Sequence, residues 1–293
     1  MVDYMNLKLI ATAVTRAAVA LILTTFFATH VVVQVDDADK RRALALWEEA
    51  ISAKGGRTRL HSIENLLISS TKNVHIPGKI KVTTTTTQSE RLYVMPEKAW
   101  IYELTPQFDV SLEAKLINSE RDFCAVTLAP ARGGVPGRSF CLPTTQFEYL
   151  VQRPVIYLME TKWVRPVPLR VRVEGKGKWQ VEVIETQIGK IRADFYLDRK
   201  TKLPNKIRTH RLNGTWESVR PSSLITIELD NYKLIDGILM PQRVTEIIEL
   251  SDTIDRRLDI EDAKYSFNVS YNPAIFHGPI PANVKRHDWK LRK

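Results

Sequence analysis

From Val167 onward the chain alternates apolar and polar residues, and this rhythm constrains the fold more than any other feature. Val167, Leu169, Val171 and Val173 fall on one side and Arg170 and Arg172 on the other. Residues two apart share a face only in an extended strand. Gly175, Lys176 and Gly177 turn the chain, after which Trp179, Val181 and Val183 resume the pattern. Ile191, Ala193, Phe195 and Leu197 form the next strand, Asp198 to Lys202 turns, and Leu203 to Arg211 returns. Ile225, Ile227 and Leu229 begin another strand. Asp236-Gly237 then signals a tight hairpin, because a two-residue turn needs positive φ at both positions. Ile238 to Leu250, Arg256 to Ile260 and Ala263 to Val269 complete the series. Connections this short join antiparallel neighbours. The absence of strand–helix alternation argues against a doubly wound parallel sheet.

The preceding region reads similarly. Ile63 to Val74, threonine-rich Ile80 to Gln88, Arg91 to Met95, Ala99 to Leu104 and Phe108 to Asn118 have strand character, since branched side chains suit a pleated surface. The expected total is about ten to eleven strands. Leu128 to Pro143, rich in Gly, Pro and Arg, reads as an exposed loop. One helix precedes the strands. Ala43, Leu46, Trp47, Ala50 and Ile51 make one apolar stripe over Asp39 to Lys54, and Gly55-Gly56 ends it. Thr145 and Glu148 form a capping box, opening a greasy stretch that runs through Tyr149, Leu150, Val155, Ile156, Tyr157, Leu158, Met159 and Trp163. Pro154 interrupts this helix or starts a second one. The stretch is an internal helix or a lid over an apolar cavity.

The N-terminus bears on compartment. Lys8 and Arg16 precede a run from Ala17 to Val35 without formal charge when His30 is neutral, and Asp36, Asp37 and Asp39 follow. That charge order marks a translocated N-terminus. The run of about 19 residues approaches a bilayer-spanning length, so it is a cleaved signal or an uncleaved anchor, with a buried core helix as the remaining alternative. The expected division is residues 1–38 as signal peptide or signal-anchor, 39–276 as the folded domain and 277–293 as a basic tail. The body is expected in the periplasm, either soluble or held to the inner membrane by residues 17–35. Cys124 and Cys141 are disulfide candidates there, with stabilisation of roughly 3 kcal/mol from loop entropy; two separate buried thiols are the alternative. The spacing is not Cys-x-x-Cys.

Chemistry is sparse. The formal charge of +10 is spread along the chain, which describes a solvated basic surface and not a nucleic-acid groove. None of the six histidines has metal-ligand spacing. No serine-nucleophile elbow or phosphate loop is present. Arg132 to Arg138 offers cations and backbone amides, but reads as a loop without a ligand. Glu182, Glu185 and Asp194 are expected to face solvent. No catalytic residue, metal site or cofactor is assigned, and the chain reads as a binding module, not an enzyme.

Three stretches carry a resemblance. They are the helix end Ala53-Lys54-Gly55-Gly56, Tyr196 to Pro204 (Tyr-Leu-Asp-Arg-Lys-Thr-Lys-Leu-Pro) and Asn231 to Pro241 (Asn-Tyr-Lys-Leu-Ile-Asp-Gly-Ile-Leu-Met-Pro). With the closing Tyr271 to Phe276, they resemble the periplasmic lipoprotein-carrier superfamily, the LolA/LolB-like proteins, over roughly Asp39 to Phe276. The resemblance implies a mainly β fold: an open antiparallel half-barrel with an N-terminal helix, a short helical lid and an apolar leader helix before them. It also implies an apolar concave face that receives lipid or lipoprotein acyl chains. Phe147, Leu150, Ile156, Leu158 and Trp163 are then lid candidates, and Val171, Val181, Phe195 and Ile227 wall candidates. An ordinary dry core is the alternative for the same residues. An envelope protein-interaction module that senses stress through a membrane partner is a rival function, and an envelope hydrolase a lesser one. A wide apolar cavity would favour the carrier; a cavity closed by large side chains would favour the interaction module.

Overall fold

The computed structural model describes residues 37–276 apart from 79–80, 97, 109, 118–121, 129–138, 144–152, 178–179, 190, 212–223 and 251–252. The expected leader, the tail, the capping box and the loop from Arg132 to Arg138 lie outside the described residues, as do Phe147, Leu150 and Trp179. Among the described residues no helix is long and apolar enough to cross a membrane.

Helix α1 (Asp37–Lys54) and a five-residue helix α2 (Arg57–His61) lead into thirteen strands, with a six-residue helix α3 (Arg153–Leu158) at the midpoint. The strands are β1 (Asn65–Ile76), β2 (Thr83–Val94), β3 (Lys98–Thr105), β4 (Val110–Ile117), β5 (Asp122–Leu128) and β6 (Ser139–Pro143) before α3. After it come β7 (Val167–Glu174), β8 (Val181–Ile188), β9 (Ile191–Leu197), β10 (Pro204–Arg211), β11 (Leu224–Ile235), β12 (Ile238–Leu250) and β13 (Thr253–Phe267). Two pairs of expected segments are continuous: β2 takes in Arg91 to Val94, and β13 runs through Asp262. Two strands, β5 and β6, were not expected. Ser139 to Pro143 belongs to β6 and not to the loop read there, because the Gly, Pro and Arg signals come from the residues just before it. The β5–β6 register sets Cys124 directly opposite Cys141.

All strands join one antiparallel sheet in the order β6-β5-β4-β3-β2-β1-β13-β12-β11-β10-β9-β8-β7. Every neighbour is consecutive in sequence except β1 with β13. The sheet is therefore a meander whose ends meet in its middle and whose break falls between β6 and β7. The chain has to pass from one open edge to the other at that break, and α3 lies on this crossing. Open edges invite pairing with other chains; α1 packs along the β7 edge strand.

Cross-strand partners point to the same side of a sheet. One row runs Val171, Ile184, Phe195, Ile207, Ile227 and Glu246. This is the inner face, and α1 and α3 cover it. Ala43, Leu46, Trp47, Ala50 and Ile51, the expected stripe of α1, are buried in one core with Val155 to Met159 and the inner sheet residues. The Trp47 indole meets the Phe195 ring edge-on at 5.0 Å. A smaller core of Leu92, Trp100, Val269 and Phe276 sits on the outer face under the closing segment.

Candidate functional site

The three stretches that carry the resemblance converge at one end of the sheet. Gly55 has φ +139, and a Cβ there would lie 2.5 Å from the Gly237 carbonyl oxygen. Asp236 and Gly237 have φ 48 and 79, the paired positive values of a type I′ hairpin. The end of α1 is thus seated on the β11–β12 turn with no room for a side chain between them. The Tyr232 hydroxyl donates to the Pro204 carbonyl at 2.5 Å, tying the second stretch to the third. The Lys54 Nζ lies 4.9 Å from the Tyr232 ring centre. Lys54 is wholly buried without a hydrogen-bond partner, and burial lowers its pKa to about 7. These motifs build the end of the trough and do not line it.

Helix α3 sits in the trough as a plug. All six of its residues are buried, Leu158 completely. A charged group holds each end. At the start, Arg153 pairs with Glu246 of β12, and both side chains are less than a tenth exposed. Just past the end, Glu160 accepts hydrogen bonds from Arg57 Nε at 2.6 Å and Trp47 Nε1 at 3.2 Å, and lies 2.8 Å from His61 Nε2. Burial alone would raise the Glu160 pKa. The hydrogen bonds from Arg57, Trp47 and His61 and the Arg57 charge outweigh it and hold the carboxyl below its ordinary value. Met159 turns the chain at φ 70 between plug and latch.

Beyond the plug the inner face changes character. On β1, β2 and β3 it carries Lys72, Ser89, Arg91 and Glu103. Glu103 Oε1 accepts from Lys72 Nζ at 2.5 Å and from Arg91 Nη2 at 3.1 Å. Burial works to raise the Glu103 pKa, but these two cations bring it down to about 2. On the outer face Arg172 bridges Glu174, Glu185 and Asp194, and Arg170 joins Glu185. Glu185 and Asp194 are therefore ion-paired on that surface. Glu182 is on the inner-face register and pairs with Lys202.

The structure brings together some of the expected site residues. Ile156, Leu158, Phe195 and Ile227 share the inner core, and Val171 packs against it half-buried. Val181 does not join them: in the β8–β9 register Ile184 opposes Phe195, so Val181 and Val183 point to the outer face. Trp163 is half-buried outside this core, with Lys162 Nζ 4.5 Å from its ring centre. The reading by composition missed Glu160, Arg153 with Glu246, and the Lys72–Arg91–Glu103 cluster. Their partners lie 31 to 113 residues away where they are not neighbours on adjacent strands, so no local spacing signals them.

No family model matches the sequence, and no curated protein matches it. Solved structures do resemble the fold. A LolA superfamily protein from Nitrosomonas europaea aligns with a TM-score of 0.50 at 13% identity, over 80% of this chain and 97% of that one. An outer membrane lipoprotein-sorting protein domain from Vibrio parahaemolyticus aligns at TM-score 0.48 and 13% identity, over 78% of this chain and 97% of that one. A DUF1329 family protein from Desulfovibrio piger aligns at TM-score 0.46 and 11% identity, over 80% and 97%. At such identities the likeness speaks to the path of the chain alone, and the first of these carries it. The open antiparallel meander with its helices on the inner face is a LolA-like fold.

Proposed function

We propose that this chain is a binding protein, a carrier or sensor, for lipid or lipoprotein acyl chains, working on the outer side of the cytoplasmic membrane without catalysis. The observation that supports it is the α3 plug. Six consecutive buried residues cross the break of the sheet and lie against Phe195, Ile227 and their neighbours in one core. A plug of this kind is exchangeable for hydrocarbon. Its Val155, Ile156, Tyr157 and Leu158, with Met159 just after it, gain about 1.5–3 kcal/mol each from burial. A sixteen-carbon chain gains about 0.8 kcal/mol per methylene, about 12 kcal/mol in all. The two are of similar size, which is what reversible exchange requires.

Native mass spectrometry of the full chain from the envelope fraction, with lipid extraction, tests this reading. Co-purifying acyl lipid or lipoprotein is expected, and Leu158→Asp, which weakens the hold of the plug on the inner face, is expected to raise its occupancy. A folded wild-type protein that carries no acyl ligand and takes none from palmitate-loaded micelles would rule the reading out. A second reading, an envelope protein-interaction module of the same fold, is favoured by one observation: the protein's own large side chains fill the inner face. It predicts capture of a protein partner through the surface, with Leu158→Asp affecting stability only.

A further inference from the structure

One stretch of the inner face is unsuited to hydrocarbon. Lys72, Ser89 and Tyr93 are at most 4% exposed, and Arg91 lies beside them with its side chain 11% exposed. Lys72 and Arg91 share a single carboxylate oxygen, that of Glu103, so two cations face one anion. Arg91 Nε and Ser89 Oγ are buried and make no hydrogen bond. The Tyr93 hydroxyl is close to the Arg91 guanidinium without forming a well-made bond. Buried polar groups are almost always paired, and leaving them unpaired costs free energy. Three underused groups around a surplus positive charge describe a receptor for an oxygen anion. Arg91 Nε can only donate, and both hydroxyls are able to. A neutral group would leave the charge uncompensated, and a cation would be repelled.

The inner face toward β8 to β12 is mainly apolar, through Ile184, Phe195, Ile207, Ile227 and Val244, with Glu246 on the same row neutralised by Arg153. We propose that the ligand is an anionic amphiphile: its carboxylate or phosphate head docks on Lys72, Ser89 and Arg91, and its chain runs along Phe195 and Ile227 in place of the apolar part of α3, Val155 to Leu158, while Arg153 stays on Glu246. This rests on the acyl-chain reading above and narrows it to acid-headed ligands.

The test titrates the full chain at pH 7 with palmitate, hexadecyl phosphate, the neutral 1-hexadecylglycerol and inorganic phosphate, following binding by calorimetry. The acid-headed probes are expected to bind at least about tenfold more tightly than the neutral one, the usual worth of hydrogen bonds to a charged group. Lys72→Met is expected to remove that preference. Ser89→Ala, which carries the test if Lys72→Met does not fold, is expected to weaken only the acid-headed probes, by about threefold to tenfold. Equal binding of charged and neutral probes, unmoved by either variant, would overturn the head-group assignment and leave acyl binding standing. Failure of every chain-bearing probe would overturn the acyl-chain reading itself. Inorganic phosphate bound as tightly as hexadecyl phosphate would overturn the amphiphile and mark a site for a free anion.

Discussion

Replacing Lys54 by methionine should stabilise this protein, and by an amount that depends on pH in a defined direction. The ammonium is wholly buried at the end of α1, with no hydrogen-bond acceptor and with the Tyr232 ring centre 4.9 Å away. Burial lowers its pKa from 10.5 to about 7. The unfolded chain therefore holds a proton between pH 7 and 10.5 that the folded chain has released. Stability rises with pH wherever the unfolded state binds more protons. At about 1.4 kcal/mol per pH unit, the charged lysine costs about 5 kcal/mol below pH 7 relative to strongly alkaline solution. Methionine has similar reach and no charge, so Lys54→Met should gain several kcal/mol at pH 6.5. Between pH 6.5 and 9 its advantage over wild type should shrink by about 3 kcal/mol, as the wild-type lysine becomes neutral. Urea denaturation of both proteins at the two pH values measures this, and taking the difference cancels the other titrating groups. An advantage that stays constant with pH, or a destabilised variant, would refute the reasoning and mean that Lys54 reaches solvent or an anion.

Glu103 gives the opposite sign. Its pKa falls to about 2, so its contribution is complete above about pH 4.5 and is lost as pH falls toward 2. Glu103→Gln should unfold with a shallower acid limb and be about 3 kcal/mol less stable at pH 7, read by denaturation across that range. Glu160→Gln should weaken the latch on α3, speeding amide hydrogen exchange over Arg153 to Met159 while β11 and β12 stay protected. Gly55→Ala should cost more than about 2 kcal/mol, since its methyl would overlap the Gly237 carbonyl and φ +139 is strained for alanine. The intact mass of chain purified from an oxidising compartment should be two hydrogens below the reduced mass, because Cys124 and Cys141 are register partners and facing strand residues are at disulfide-compatible separation.

How much of this was legible in the sequence depended on how each residue announces itself. Strands with one wet face showed their alternation, and the α1 stripe and the Asp236-Gly237 turn were plain. Alternation misled where both faces are buried. In β8, Val183 and Ile184 are each 0% exposed, so the pattern did not say which side Val181 takes. In β2 it pointed away from the interesting face, because Leu92 and Val94 pack outside while Ser89, Arg91 and Tyr93 point in. A polar inner face resembles a solvated one until the register is known. Glu160 looked like any surface carboxylate, since Trp47, Arg57 and His61 reach it from about a hundred residues away.

The most direct test of the acyl-binding claim is photo-crosslinking of the full chain with a diazirine-bearing fatty acid, followed by peptide mapping. Adducts are expected on the inner face at Phe195, Ile207 and Ile227, competed away by unlabelled palmitate. Adducts confined to the outer face around Trp100 and Phe276, or none that palmitate displaces, would contradict the claim.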